Sequence, residues 1–323
     1  MKVLLHGLKY FCKKLPEAFQ SDGCDIRFHP ADSAGSLLAL MRDLRRADLL
    51  FVWGARISMG RVLLAARVFS KKNVILYWCG SDVLLAQTEH AKGMVSPWLA
   101  NKTHWAGAPW LAQEICELGM PCEYVPITWV PKIEDVPPLP ERFSVLVYMP
   151  RVRLGELYGL ARILEVARSL PHISFELLGL IEGDIPDFPP NLKIFGRIQE
   201  KDMAEFYRRA TVYWRPVSHD GLSFMSLEAL SYGRHVVWTY SFPHCLEAKN
   251  ASQDKAAIEK LYECHQEKRL PLNRSGIEMV RRDFSRERIR DEHLSRWRRI
   301  IASPKLASTN ESRSMHSETL PNK

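Results

Sequence analysis

HDGLSFMSLEALSYG, residues 219–233, runs from an acidic loop directly into a helix. Asp220 stands eight positions before Glu228, with a Gly-Leu-Ser step after it. The preceding apolar run, ATVYW up to Trp214, has the character of a parallel strand that delivers the chain to a sheet's carboxyl edge. Ser223 is placed to cap the helix, and Gly221 lets the backbone approach a ligand closely. The free amides and positive dipole end of such a helix form an anion site suited to a diphosphate. Glu228 then lies roughly 7.5 Å along the axis at about 1.5 Å per residue, where a carboxylate can accept both hydroxyls of a ribose. Asp220, in the loop, can reach a group beyond the phosphates, such as a sugar hydroxyl. The spacing matches the length of a nucleotide sugar. An acid in the second helical turn also complements the dipole in ordinary helices, so spacing alone leaves that simpler reading open.

Working outward, short apolar runs alternate with helical segments along the whole chain, which predicts parallel sheets covered by helices. Strands are expected at 3–5, 25–29, 48–53, 73–79, 103–106 and 122–126, then at 144–149, 174–178, 192–196, 212–216 and 235–239. Helices are expected at 156–169, 200–210, 223–232 and 252–268 in the second series. Between the two series lies VPKIEDVPPLPER, residues 130–142, whose four prolines mark a linker. The expected α/β architecture is therefore two facing Rossmann-like, doubly wound domains, 1–133 and 134–284, with a ligand cleft between them. Residues 285–302 read as a final helix that can cross back to the first domain. Residues 303–323, rich in Ser, Thr and Asn, read as a disordered tail.

At 323 residues the chain exceeds one ordinary core, which agrees with two domains. No window approaches the ~18 apolar residues of a spanning helix, and the start lacks a signal-peptide cleavage pattern, so a cytoplasmic protein is expected. The seven cysteines are scattered, none in Cys-x-x-Cys, which fits reduced thiols. No metal-ligand spacing is present, and no metal or cofactor is expected. The net charge of +8 is uneven: residues 1–72 hold thirteen Lys/Arg against six Asp/Glu. Such a bias suits a polyanion, an anionic membrane surface or an anionic substrate, or is simply a solvated face. Nucleic acid is disfavoured because no helix-turn-helix, zinc-finger or RNP-type sequence occurs. HGLKYF after the first strand lacks the dinucleotide glycines, and P-loop and Gly-x-Ser-x-Gly motifs are absent.

The stretch Asp220-Gly221-Leu222-Ser223…Glu228-Ala229…Gly233-Arg234-His235-Val236-Val237 resembles the donor-site signature of retaining GT-B glycosyltransferases, especially glycosyltransferase family 4. That signature is a Glu, seven residues and a second Glu. The resemblance extends to EKDMAEFYRRATVY and PNLKIFGRI, and covers roughly residues 140–300; YWCGSDV resembles an acceptor-domain motif of some members. It implies a nucleotide-sugar donor, a glycan or lipid-linked acceptor, and front-face transfer with retention. Asp220 replaces the first Glu. In RVRLGELYG, Arg153 matches the family's phosphate-binding Arg, but Tyr158 occupies the position of its Lys. Arg151, Arg215 or Arg197 can supply the missing cation. A chain that binds the nucleotide or a glycan without catalysis is the alternative. His219 beside Asp220 is a candidate donor to a phosphate or sugar oxygen. Ser81 and Asp82 are expected at the acceptor side, Asp82 as a hydroxyl acceptor or base, or else as a helix cap. His6 is expected to face the cleft from the end of the first strand, and Trp105 and Trp110 are candidate sugar-stacking rings or core residues. ALMRDLRRADLL offers Leu40, Met41 and Leu44 beside arginines, as a peripheral membrane helix would, or as a core-facing stripe with a wet basic back. With Lys9, Lys13, Lys14, Arg42, Arg45, Arg46, Lys71 and Lys72 it motivates a membrane-surface partner.

Overall fold

The structure is a computed structural model that describes all residues except 22, 31–32, 70–72, 182–186 and 303–323. The disordered-tail reading, and Lys71 and Lys72 of the basic set, therefore lie outside the described residues.

The first half carries strands β1 (Lys2–Gly7), β2 (Asp25–Phe28), β3 (Leu49–Trp53), β4 (Asn73–Trp78), β5 (Thr103–Ala106) and β6 (Cys122–Tyr124). They form one sheet in the order β2-β1-β3-β4-β5-β6. The second half carries β7 (Ser144–Tyr148), β8 (Ser174–Leu178), β9 (Leu192–Ile194), β10 (Val212–Arg215), β11 (His235–Trp238) and β12 (Leu246–Glu247). Their order is β12-β11-β10-β7-β8-β9. Every paired strand in both sheets runs parallel.

Burial on both faces explains why central strands such as β3 and β4 are almost wholly apolar. In β3, Leu49, Phe51 and Trp53 face one core, while Leu50 and Val52 face another. The second of these cores is continuous between the halves: Trp78, Ala106 and Ala108 belong to the same buried cluster as Leu146, Tyr213 and Leu227. Residues between β6 and β7 form no helix or strand, as the prolines predict. The last helix, Arg286–Ala302, buries Ile289, Leu294 and Trp297 among Leu5, Phe19 and Phe51 of the first half. Its Arg286 Nη2 donates to the Glu17 carbonyl at 2.8 Å, and Arg296 pairs with Glu123. Three such side chains contribute about 1.5–3 kcal/mol each relative to exposure.

The structure corrects the membrane-helix expectation in its details. Leu40 and Leu44 are buried in the core, and Met41 packs against it. They form the core-facing stripe. The apolar side chains that stand outward nearby are Leu38, Leu64 and Val68, at 66%, 51% and 66% exposure. No helix among the described residues is long and apolar enough to cross a membrane.

Candidate functional site

The site is built where β10 ends. Its last residue, Arg215, reaches the carboxyl edge of the second sheet, and the loop beyond it leads into the helix Phe224–Ser231. Ser223 caps that helix as the sequence predicts, its Oγ accepting from the Ser226 N–H at 3.2 Å. Gly221 is required for a reason the sequence did not disclose. A Cβ there would stand 2.0 Å from the Cys79 carbonyl of the first half, so the close approach is to the opposing domain.

Arg215 is the charge at the centre of the arrangement. Its Nε donates to Asp220 Oδ2 at 2.8 Å, with side-chain exposures of 8% for Arg215 and 18% for Asp220. Burial is the largest single influence and works against the Arg215 cation, but the charge and hydrogen bond of Asp220, with the neighbouring Tyr213 and Tyr158, together outweigh it and hold the guanidinium well above its ordinary range. The guanidinium also lies 5.1 Å from the Tyr158 ring centroid and 6.0 Å from that of Tyr148. Gly159 permits this neighbourhood: at φ +72°, it carries the turn after Tyr158 against the Pro216 carbonyl, where a Cβ would clash at 1.9 Å. Tyr158 thus presents an aromatic face to Arg215.

The loop at Asp220 is held from both halves. The Asp220 N–H donates to the Tyr240 hydroxyl at 3.1 Å, and Trp110 Nε1 of the first half donates to the Asp220 carbonyl at 2.7 Å. Trp110 and Tyr240 stack with centroids 4.1 Å apart and planes 7° from parallel. Trp110 is therefore occupied as a clamp. His219 Nε2 donates to Glu114 Oε2 of the first half at 2.9 Å, and its buried Nδ1 has no partner among the described residues. Neither Trp110, Glu114 nor Tyr240 has a local sequence signal for this role, because each meets the loop only through tertiary packing.

Glu228 sits on the helix that Ser223 caps and lines the same cleft. Burial raises its pKa, and a hydrogen bond from Tyr207 opposes that rise. The Tyr207 hydroxyl donates to Glu228 Oε2 at 2.5 Å. Sequence reading passed over Tyr207, which lies on the helix Met203–Arg209, far from the motif in sequence.

The remaining expected residues divide. Arg151, Arg197, Ser81 and Asp82 line the cleft with Leu222 and Ser223. Arg153 does not: Arg151 is the last extended residue after β7, and the helical turn Val152–Leu154 begins beyond it, leaving Arg153 exposed outside the cleft. His6 is also outside it, its Nδ1 3.2 Å from the His29 carbonyl beside β2. Trp105 is buried in the first domain's core. Asp82 accepts from the backbone N–H groups of Gly80 at 2.7 Å, Cys79 at 3.1 Å and Ala55 at 3.2 Å. Its carboxylate braces the turn that opens the helix Ser81–Ala91, while burial raises its pKa against those hydrogen bonds.

Together these residues enclose a cleft of about 2080 Å³ between the two sheets' carboxyl edges. A site for one small ligand occupies roughly 300–1,000 Å³, so this space admits two substrates at once.

The fold has counterparts among solved structures. The chain superimposes on HepE from Anabaena, solved with UDP, at a TM-score of 0.65 over 93% of this chain and 100% of that one, with 10% identity. Sucrose-phosphate synthase from Thermosynechococcus elongatus gives a TM-score of 0.66 over 94% and 99%, with 13% identity. The fold is GT-B. The pneumococcal O-GlcNAc transferase GtfA, solved with UDP and GlcNAc, matches at 0.58 and 12% identity over 83% of this chain, which spans 60% of GtfA. No protein-family model and no curated protein matches the sequence.

Proposed function

We propose that this GT-B chain is a glycosyltransferase that moves a sugar from a nucleotide-sugar donor to a glycan or lipid-linked acceptor, with retention and without a metal. The observation that carries the reading is the buried Arg215–Asp220 pair at the start of the helix that bears Glu228, all within one interdomain cleft. In this reading the donor's diphosphate lies at the helix N-terminus, beside Arg215, with Arg151 and Arg197 as further cations. Glu228 accepts the ribose hydroxyls. Asp220 and His219 face the transferred sugar, and Ser81 lies on the acceptor side. Asp82 serves that side by shaping its backbone. HepE and GtfA with bound UDP make UDP the first nucleotide to test.

The chemistry follows from charge. As the glycosidic bond breaks, negative charge develops on the leaving diphosphate, and fixed cations and amides stabilise it most in the transition state. The acceptor's hydroxyl oxygen bonds to the anomeric carbon on the face the diphosphate leaves, which retains the configuration, and the leaving diphosphate oxygen takes up that hydroxyl's proton. The outward apolar residues Leu38, Leu64 and Val68, near exposed Arg42, Arg61 and Arg67, support an anionic membrane surface as the place of work.

The test is calorimetric titration with UDP, GDP and ADP, followed by transfer and hydrolysis assays with the corresponding sugars. Nucleotide binding with turnover supports the enzyme. Binding without turnover under any donor supports a non-catalytic partner, the reading to which the Tyr158 replacement points. Absence of nucleotide binding overturns the enzyme and leaves a glycan-binding partner as the reading.

A further inference from the structure

We propose that Tyr207 is the positioning residue of the nucleotide-binding carboxylate, its phenol holding Glu228 Oε2 in place and leaving Oε1 for the ribose. This deepens the function proposed above and rests on Glu228 as the ribose acceptor. Tyr207 is 1% exposed, and its ring stacks on Tyr232 at 5.4 Å, with planes 28° apart. Tyr232 is the residue that ends the Glu228 helix, so the phenol is fixed relative to the helix it serves. The 2.5 Å contact is at the short end of hydrogen bonds between a hydroxyl and a carboxylate, which are the stronger ones. It is the only hydrogen bond to the Glu228 carboxylate among the described residues.

A lone Glu side chain explores several staggered rotamers, and a ligand that needs one of them bears the cost of selecting it. Tyr207 makes that selection before the nucleotide arrives. Burial raises the Glu228 pKa, and the Tyr207 hydrogen bond lowers it. Two further charges bear on Glu228: Glu200, in the turn Glu200–Asp202, raises its pKa, and Lys14, on the helix Lys9–Ala18, lowers it. Those two are paired with each other at 2.7 Å. Tyr207 itself, buried and beside the carboxylate, is held well above the ordinary tyrosine range and remains a donor.

The experiment compares wild type, Tyr207→Phe, Glu228→Gln, the double variant and Tyr232→Phe. Each is titrated with whichever of UDP, GDP and ADP the wild type binds most tightly, from pH 5 to 8. Tyr207→Phe is expected to weaken binding about tenfold at pH 7. It also shifts the acid limb, where affinity falls as Glu228 takes up a proton, to higher pH. In the Glu228→Gln background the same change moves affinity less than about twofold, because the group through which Tyr207 acts is altered. Tyr232→Phe, which removes a neighbouring hydroxyl of the same size, leaves the acid limb in place. A Tyr207→Phe protein that melts lower but keeps the wild-type affinity and acid limb overturns the proposal. So does an equal loss in both backgrounds. A wild type that binds none of the three nucleotides overturns instead the function on which it rests, and the proposal with it.

Discussion

Replacing Asp220 by Asn probes the charge arrangement most directly. The side chain keeps its shape, but Arg215 loses its carboxylate while remaining almost fully buried. Removing one partner of a buried ion pair typically costs about 3–5 kcal/mol because the other charge is left uncompensated. The 18% exposure of Asp220 admits some water, which places the expected cost near the lower end, at about 3 kcal/mol. For a chain of this size that corresponds to roughly 4 °C in melting temperature. A bound diphosphate supplies the missing anion. Near saturation at 100 times the dissociation constant, any ligand of the native state adds about 2.7 kcal/mol. Scanning calorimetry with and without UDP therefore separates two terms. The Asn variant is expected to melt well below wild type without ligand, and to gain more than wild type does at the same UDP concentration, because a diphosphate that replaces the lost anion binds the variant more tightly. Melting within 1 °C of wild type without ligand would refute the reasoning, since the cation would then have found another partner or water.

Other outcomes are equally specific. Glu228→Gln should weaken UDP binding by about 1.5–3 kcal/mol while leaving the nucleotide-free protein no less stable, because burial penalises the ionised carboxylate it removes; titration and melting on the same samples check both. Arg151→Ala should lower turnover at least about tenfold, or ~1.4 kcal/mol, whereas Arg153→Ala, outside the cleft, should be silent in the same steady-state assay. His293, fully buried between the last helix and the first domain, has its pKa lowered from 6.5 to about 4. The unfolded chain therefore takes up a proton first as pH falls from 6.5 towards 4, and stability drops across that window by roughly 2–3 kcal/mol. Melts of His293→Gln should lack this component. Co-sedimentation should show a preference for anionic over neutral vesicles at low salt that disappears at 1 M, where the Debye length is about 3 Å; equal binding to both at low salt removes the membrane from the account.

What the sequence disclosed followed from how local each feature is. Residues 49–53 read as a buried strand because five successive apolar side chains suit a parallel sheet covered on both faces. The exposed pair Leu246–Glu247 carries no such pattern and was missed, because it is a strand only by pairing with β11. Ser223 and Glu228 could be placed because capping and helical rise are fixed over one or two turns. Arg153 was chosen by the same kind of local reasoning, and the structure puts it outside the cleft lining. Matching the motif fixes a position along the chain, but the helical turn after Arg151 decides which arginine reaches the cleft. Tyr207, Trp110 and Glu114 were beyond reach, since each acts on a residue more than twenty positions away.

Tyr158 and the burial of Arg215 are best understood together. Two cations side by side at this depth would repel in a medium that screens poorly, and only one carboxylate, Asp220, is bonded to Arg215. With Tyr at 158 the guanidinium meets a ring face at 5.1 Å, an attraction worth about 0.5–2 kcal/mol when partly desolvated. The positive charge here is thus carried by a planar side chain fixed at the end of β10, and the turn after β7 contributes a ring instead. A guanidinium held this way gives up little rotamer freedom when it meets a phosphate, and it can offer two parallel donors where an ammonium offers a point charge. The same fixing suits an Asp at position 220. With Arg215 Nε only 2.8 Å away, the shorter carboxylate already reaches its partner, and a longer one would have to fold back upon it. Tyr158, Arg215 and Asp220 therefore form a single electrostatic unit, and a substitution at any one of them should be interpreted only together with the other two.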